Sequence, residues 1–196
     1  MLEAVLPLDL EREIFEIAAL LDFHTIPSSA IEPFLYRIVA IDASTRAAAF
    51  RQALDRKPDL LATSVQHIFV IDHSEWAKED IRLLLRLCAP QLLSLGSTST
   101  FYSPEILPIL LHAVRLRRWA GRLEDLFGDD AAVDLSIPAF RTVTHMDIFD
   151  DLILEDDAAI CAGLVSLPCL THLCLNDIRR LSPIPRILMQ CPHLQV

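Results

Sequence analysis

Apolar positions recur along this chain in one spacing, apolar-x-x-apolar-x-apolar, with a histidine directly before the second apolar residue. The pattern is written three times, in TSVQHIFVIDH, FRTVTHMDIFD and LPCLTHLCLND, which begin at residues 63, 140 and 167. A segment that returns at intervals predicts an internal repeat, in which each copy forms the same short unit and packs against the next.

The spacing between the copies indicates the kind of repeat. The first apolar residue of the pattern falls at positions 65, 143 and 170, copies that match at two of three positions begin at 92 and 116, and Leu194 starts one more. Successive starts are separated by 27, 24, 27, 27 and 24 residues. This pattern with a period of about 20 to 29 residues is typical of leucine-rich repeats.

Segments with helical signals fill the intervals, at 44–54, 74–87, 103–114 and 155–167. Parallel strands need crossover connections, which are usually helices. The sequence therefore predicts an α/β fold, a leucine-rich-repeat solenoid in which short parallel strands alternate with helices. We expect an N-terminal helical cap over residues 1–34 and the repeat array over 35–196, beginning with a strand around 35–41. The array is expected to be open at its C-terminal end, where CPHLQV stops inside a strand motif.

Alternation along each strand divides the side chains between two faces. Those expected in the core are Val65, Ile68, Val70, Val143, Met146, Ile148, Leu170, Leu173 and Leu175. Those expected on the open concave face are His67, Phe69, Ser94, Gly96, Arg118, Ala120, His145, Asp147, His172 and Cys174. Seven of the latter are the predicted partner-binding residues: His67, Phe69, Arg118, His145, Asp147, His172 and Cys174.

Composition narrows the class of protein. The chain is 53% hydrophobic with a mean hydropathy of +0.39, but its longest apolar run has about nine residues, where a membrane-spanning helix needs about 20. A net charge of −10 argues against broad nucleic-acid binding, which requires basic side chains. An odd number of cysteines without C-x-x-C, and no basic N-terminal signal, favour a reduced intracellular compartment, cytoplasmic or nuclear. We expect all five cysteines to fill the core: Cys88, Cys161, Cys169, Cys174 and Cys191.

Candidate chemistry on the concave face is limited. Two histidines, His145 and His172, are expected on adjacent strands with Asp147 and Cys174, and these are possible zinc ligands. Side chains on in-register strands stand parallel rather than converging on one point, so no metal site is predicted. No G-x-S-x-G motif occurs, and with four glycines there is no phosphate loop, so neither a catalytic residue nor a cofactor is expected.

Two charged stretches can each be interpreted as an ordinary part of the protein surface or as a binding site. The acidic stretch 147–157 is interpreted as a solvated loop and helix N-terminus, with docking of a basic partner as the alternative. The basic stretch RLRRWAGR at 115–122 either recognises an anionic partner or pairs with nearby acids, and we expect pairing with Glu124, Asp125 and Asp147.

The N-terminal stretch LPLDLEREIFEIAALL resembles the opening of F-box-like proteins, in which a Leu-Pro pair precedes a helix with an Ile-Phe pair. Here these residues are Leu6, Pro7, Ile14 and Phe15. The following EPFLYRIVAI, the segment SLPCLTHLCLND, and the Cys-Ala-Pro and Cys-Pro entries at 88–90 and 191–192 are similar to fungal F-box-like leucine-rich-repeat proteins. The F-box is shortened, since only two residues stand where the family usually has another helix.

The resemblance implies a non-catalytic protein-interaction module, the substrate-receptor subunit of a cullin-type ubiquitin ligase. In that family the F-box helices bind a Skp-type adaptor, which implies that Leu6, Pro7, Ile14 and Phe15 contact the adaptor, while the repeats bind a protein target. Two alternatives remain open. One is a structural or scaffolding repeat protein whose first helix is only a cap, and the other is a truncated product with no ubiquitin link.

Overall fold

Six strands form one open sheet in which each strand pairs in parallel with its neighbours in the chain. This computed structural model describes residues 28–41, 44–70, 78–98, 106–128, 132–151, 158–177, 191 and 193–195. The strands are β1 (Ile38–Ile41), β2 (His67–Val70), β3 (Ser94–Ser97), β4 (Arg118–Gly121), β5 (His145–Asp151) and β6 (His172–Asp177). The predicted α/β architecture, with parallel strands alternating with helices, is confirmed.

Helices connect the strands. They are α1 (Ser28–Leu35), α2 (Ser44–Arg56), α3 (Pro58–Ser64), α4 (Lys78–Cys88), α5 (Leu107–Leu110), α6 (Leu123–Phe127) and α7 (Ala158–Ser166), with 3₁₀ turns at Ala89–Gln91 and Pro138–Phe140. Because α1 continues to Leu35, the first strand begins at Ile38 and not at residue 35 as expected. The helix predicted at 103–114 is a single turn in the part that the structure describes, and residues 1–27 of the predicted cap lie outside the described ranges.

The register of the sheet reproduces the spacing of the sequence pattern. His67 pairs with Ser94, Ser94 with Arg118, Arg118 with His145, and His145 with His172. Successive partners are therefore 27, 24, 27 and 27 residues apart, as the apolar pattern predicts. A slip of one residue would turn every core side chain of a strand to the other face, so burial of one face specifies this register.

A backbone carbonyl just before each of the first five strands accepts two consecutive N–H groups from the next strand, over 2.7 to 3.1 Å. The accepting residues are Arg37, Gln66, Leu93, Arg117 and Thr144. The N–H of Gln195 donates to the Thr171 carbonyl over 2.9 Å, so the ladder continues past β6 at the position where the pattern starts again. Each strand is thus held to its neighbour by the same contact.

The core lies between the sheet and the helices. The predicted core residues Val65, Ile68, Val70, Val143, Met146, Ile148 and Leu170 are buried, while Leu173 and Leu175 are half-buried against the same cluster. Trp119 on β4 is 1% exposed, and its ring meets that of Phe140 edge-on at 5.5 Å between centroids. Such contacts stabilise an interior beyond the area that they bury.

Candidate functional site

The sheet face turned away from the core forms a groove of about 590 Å³. It extends from Ile38 on β1 to Gln195 beyond β6. All seven residues predicted for partner binding line it: His67, Phe69, Arg118, His145, Asp147, His172 and Cys174. Alternation along each strand and pairing between the strands therefore bring together side chains that the sequence separates by up to 107 positions.

Two rows of side chains cross the groove, because the strands pair in register. The first row contains Ile38, His67, Ser94, Arg118, His145 and His172. The second row contains Ala40, Phe69, Gly96, Ala120, Asp147 and Cys174. Neighbours within a row are separated by the strand spacing of about 4.8 Å, and the two rows by two residues along a strand, about 6.7 Å.

Phe69 forms an apolar platform in the second row because its neighbour is a glycine. A Cβ on Gly96 would lie 2.5 Å from Cδ2 of Phe69, closer than Cβ atoms approach other atoms in folded proteins, and in a tight contact of 3.1 Å with Cβ of Ala120. The Phe69 ring therefore lies over Gly96 on β3. This contact explains why Gly96 is buried although it stands on the groove face.

The histidines of the first row are held by hydroxyl groups. Nδ1 of His145 and Nδ1 of His172 each lie 2.9 Å from Oγ1 of the preceding threonine, and the two rings stack with centroids 4.1 Å apart and planes 3° apart. Each threonine hydroxyl donates to the carbonyl of the preceding strand, Thr144 to Arg117 over 3.1 Å and Thr171 to Thr144 over 3.0 Å. Since a hydroxyl has one hydrogen, each Nδ1–H donates to the threonine, and Nε2 carries the free lone pair of the neutral ring.

Burial holds the pKa of His145 below its ordinary value, and the neighbouring His172 and Arg118 lower that pKa further. The Asp147 carboxylate, on the same strand, acts in the opposite direction. The effects of the neighbouring side chains follow from their charge, because a second cation beside the ring disfavours protonation and an anion favours it. The neutral form of His145 is therefore the stable one near pH 7.

Arg118 is exposed at the centre of the first row, and in the part of the chain that the structure describes it has no ion-pair partner. Among the described residues, the expected pairing of the basic stretch occurs only at Arg122, which lies 3.2 Å from Glu124 and 3.6 Å from Asp125. Two of the other arginines, which precede β4, donate to neutral acceptors instead. Arg115 donates to the Gln91 side chain, and Arg117 donates to the Thr142 carbonyl.

The cysteines differ in their surroundings. Cys88, Cys161 and Cys191 are buried as predicted, and burial raises the pKa of the Cys88 thiol to about 12. The prediction that all five fill the core is wrong for Cys174, which is exposed in the groove, while Cys169 is half-buried. Partial burial and the Asp147 carboxylate raise the pKa of Cys174, so its thiol is not activated as a nucleophile.

The parallel histidine rings do not form a metal site with their neighbours. Within the described ranges, no group of three or more His, Cys, Asp or Glu side chains is arranged to hold a metal ion. The geometry explains this result, since stacked rings direct their nitrogen lone pairs side by side and a tetrahedral site requires them to converge.

Asp150 has a structural role that the sequence did not reveal. It was interpreted as part of a solvated acidic stretch, but its side chain is buried and accepts the N–H groups of Leu123 and Glu124 over 2.7 and 3.0 Å. These are the first N–H groups of α6, so a carboxylate on β5 caps a helix about 27 positions earlier in the chain. No local motif signals such a cap, because donor and acceptor lie in different repeats.

The residues predicted to bind an adaptor, Leu6, Pro7, Ile14 and Phe15, lie outside the described residues. Across the ranges that are described, no helix has the length and apolar character needed to cross a membrane.

No protein-family model matches this sequence. No curated protein is significantly similar to it either. The resemblance to F-box-like leucine-rich-repeat proteins therefore rests on the residues that carry it alone.

Proposed function

We propose that this chain is a non-catalytic protein-interaction module that binds an extended segment of a target protein in its groove. The observation that carries the proposal is the pair of side-chain rows from successive strands, which together line about 590 Å³ of open groove. A surface built from parallel strands offers one side chain per strand to a ligand that crosses them. Such a surface suits a polypeptide better than a compact metabolite.

The regular register supports the finer assignment of the fold as a leucine-rich-repeat solenoid. The strand spacing stays between 24 and 29 residues, and the same carbonyl contact recurs before each strand. In repeat proteins of this kind each unit contacts only its neighbours and the concave face binds the partner. The groove would then be that concave face.

The chemistry of the groove supports a binding role over a catalytic one. Nucleophilic catalysis requires a base that activates its nucleophile, whereas partial burial and Asp147, the acid beside Cys174, raise the pKa of that thiol. The raised pKa of the Cys174 thiol disfavours the thiolate that nucleophilic attack requires.

The N-terminal resemblance supports a more specific role, as the substrate receptor of a cullin-type ubiquitin ligase. In this proposal Leu6, Pro7, Ile14 and Phe15 contact a Skp-type adaptor, and the groove residues hold the target. The two functions use different parts of the chain, so each can be tested without the other.

Co-expression with a Skp-type adaptor tests the receptor role. We expect an equimolar complex in size-exclusion chromatography and its loss in the double variant Ile14→Asp, Phe15→Asp, because a charge in an apolar contact costs several kcal/mol. The control is Leu83→Asp, Leu111→Asp, which also replaces two apolar side chains with aspartate, at positions that are 44% and 43% exposed. The control should keep the complex.

A folded wild-type chain that elutes apart from the adaptor would contradict the receptor role. The interaction module would then stand alone, as a scaffolding repeat. Urea unfolding of each variant shows whether a lost complex reflects the contact or a lost fold.

A further inference from the structure

We propose that the groove recognises a carboxylate on an extended segment of the protein partner, held by Arg118 and the stacked pair His145 and His172, with an apolar side chain of the same segment on Phe69. This inference rests on the proposed function and specifies the chemistry of the target.

Arg118 supplies the fixed cation of the site. Its guanidinium is exposed on the central part of the first row, and the described residues offer it no carboxylate within ion-pair distance. A guanidinium presents parallel N–H donors that match the two oxygens of a carboxylate. Arg122, by comparison, is already paired with acids of its own helix.

His145, stacked on His172, supplies a proton-dependent donor beside Arg118. Equivalent threonine contacts hold the two rings in the same orientation, stacked at 4.1 Å, so their Nε2 atoms face the same way. A neutral ring offers only a lone pair at Nε2 and repels a carboxylate oxygen. A protonated ring donates to it, so binding of the anion requires uptake of a proton.

The charges around the pair determine the direction of this coupling. Facing His145 are Arg118 on β4, His172 and Cys174 on β6, and Asp147 on its own strand, and Arg118 and His172 disfavour its protonation. A bound carboxylate adds a negative charge and offsets that repulsion. Because the pKa of His145 lies below its ordinary value, affinity should rise mainly as the pH falls from about 7 to about 6.

The same surroundings favour a carboxylate over a more highly charged group. Asp147 is exposed in the second row, and the whole chain carries a net charge of −10. Phosphorylated segments are usually recognised by clusters of arginines, whereas the described lining of the groove contains one, Arg118. One fixed arginine matches one negative charge.

The position of Phe69 relative to Arg118 determines how far apart the apolar and acidic residues of the partner should be. The Phe69 ring lies over Gly96, one strand away from Arg118 and two residues further along, about 8 Å in all. An extended peptide advances about 3.4 Å per residue, so the apolar and acidic residues of the partner should be separated by one residue.

The probe is the peptide acetyl-Glu-Ser-Phe-Ser-Glu-amide, which presents this spacing in either chain direction. Its binding to the isolated full-length chain is followed by NMR titration at about pH 6 and about pH 8. We expect binding that is several-fold tighter at the lower pH, at least about tenfold weaker in Arg118→Gln, and unchanged in Arg117→Gln. Arg117 is a matched control, because it is the adjacent arginine, is exposed, and lies outside the groove lining.

Several outcomes would overturn the proposal. They are absence of binding at about pH 6, equal losses in the two arginine variants, equal affinity for the peptide with glutamine in place of glutamate, and tighter binding of the peptide with phosphoserine in place of glutamate. Amide spectra of the free variants establish that they are folded. No adaptor is present in this experiment, so its failure leaves the receptor role standing, and a missing adaptor complex leaves the peptide result unaffected.

Discussion

Gly96 determines where the Phe69 side chain lies in the groove. The absence of a Cβ lets the Phe69 ring lie over Gly96 on β3. The apolar platform of the groove therefore depends on a residue that would contribute nothing to a contact by itself.

Substitution Gly96→Ala should displace the Phe69 ring, because the new Cβ would lie 2.5 Å and 2.7 Å from two of its atoms. We expect the free energy of unfolding to fall by about 1 to 3 kcal/mol, the usual effect of overpacking. In a Phe69→Ala background the same substitution should cost less than about 1 kcal/mol. A double-mutant cycle in urea measures the difference, and additive costs would show that the ring does not lie over Gly96.

Asp150 shows how one carboxylate can stabilise a neighbouring repeat. It is 2% exposed and accepts two N–H groups of α6. Asp150→Ala should lower the free energy of unfolding by about 1 to 3 kcal/mol, because it leaves buried donors without an acceptor. Asp150→Asn keeps one acceptor oxygen and should cost less.

Asp147→Ala is the matched control for this prediction, three residues earlier on the same strand and exposed in the groove. It should change the free energy of unfolding by less than about 0.5 kcal/mol. Similar effects of the two alanine substitutions in chemical denaturation would contradict the capping role of Asp150.

At the scale of elements, the helices are stabilised by the face that they bury more than by their own length. Helix α4 has acids in its first turn, Arg86 in its last turn and apolar residues on the face toward the sheet. Helix α5, with four residues, is too short to be stable by itself and holds its place through Ile109 and Leu110 in the core.

Two adjacent leucines of α4 test this view. Leu84 is fully buried and Leu83 is 44% exposed. Leu84→Ala should lower the free energy of unfolding by about 2 to 5 kcal/mol through lost burial and a residual cavity, and Leu83→Ala by less than about 0.5 kcal/mol. Both substitutions change helix propensity equally, so a similar loss in the two variants during thermal unfolding would mean that α4 does not pack as described.

At the scale of the whole molecule, the apolar pattern was sufficient to predict the sheet. Strand order, parallel pairing and the 27, 24, 27, 27 register follow from the repeat, since each strand can bury its apolar positions only by aligning with the next. The faces of the groove residues follow as well, because alternation along a strand is a local property.

Contacts between repeats could not be predicted in this way. Asp150 caps a helix from the neighbouring strand, Phe69 depends on a glycine 27 positions later, and Arg117 donates to a carbonyl of the next repeat. Each contact joins side chains that are close in space and distant in sequence. A single sequence shows the residue types but not which of them meet.

Neighbouring strands pair at equivalent positions, and this limits which deletions and insertions in the gene the sheet can accept. Because β5 pairs with β4 in the register in which β4 pairs with β3, loss of the 27 codons for residues 119–145 would join Arg118 to Met146 and leave a strand that can still align with β3. Loss of only part of that interval would shift the strand out of register with β3 and could turn its apolar side chains outward. Inherited variation should therefore add or remove whole strand-and-helix units, and the groove should lengthen or shorten by one strand each time.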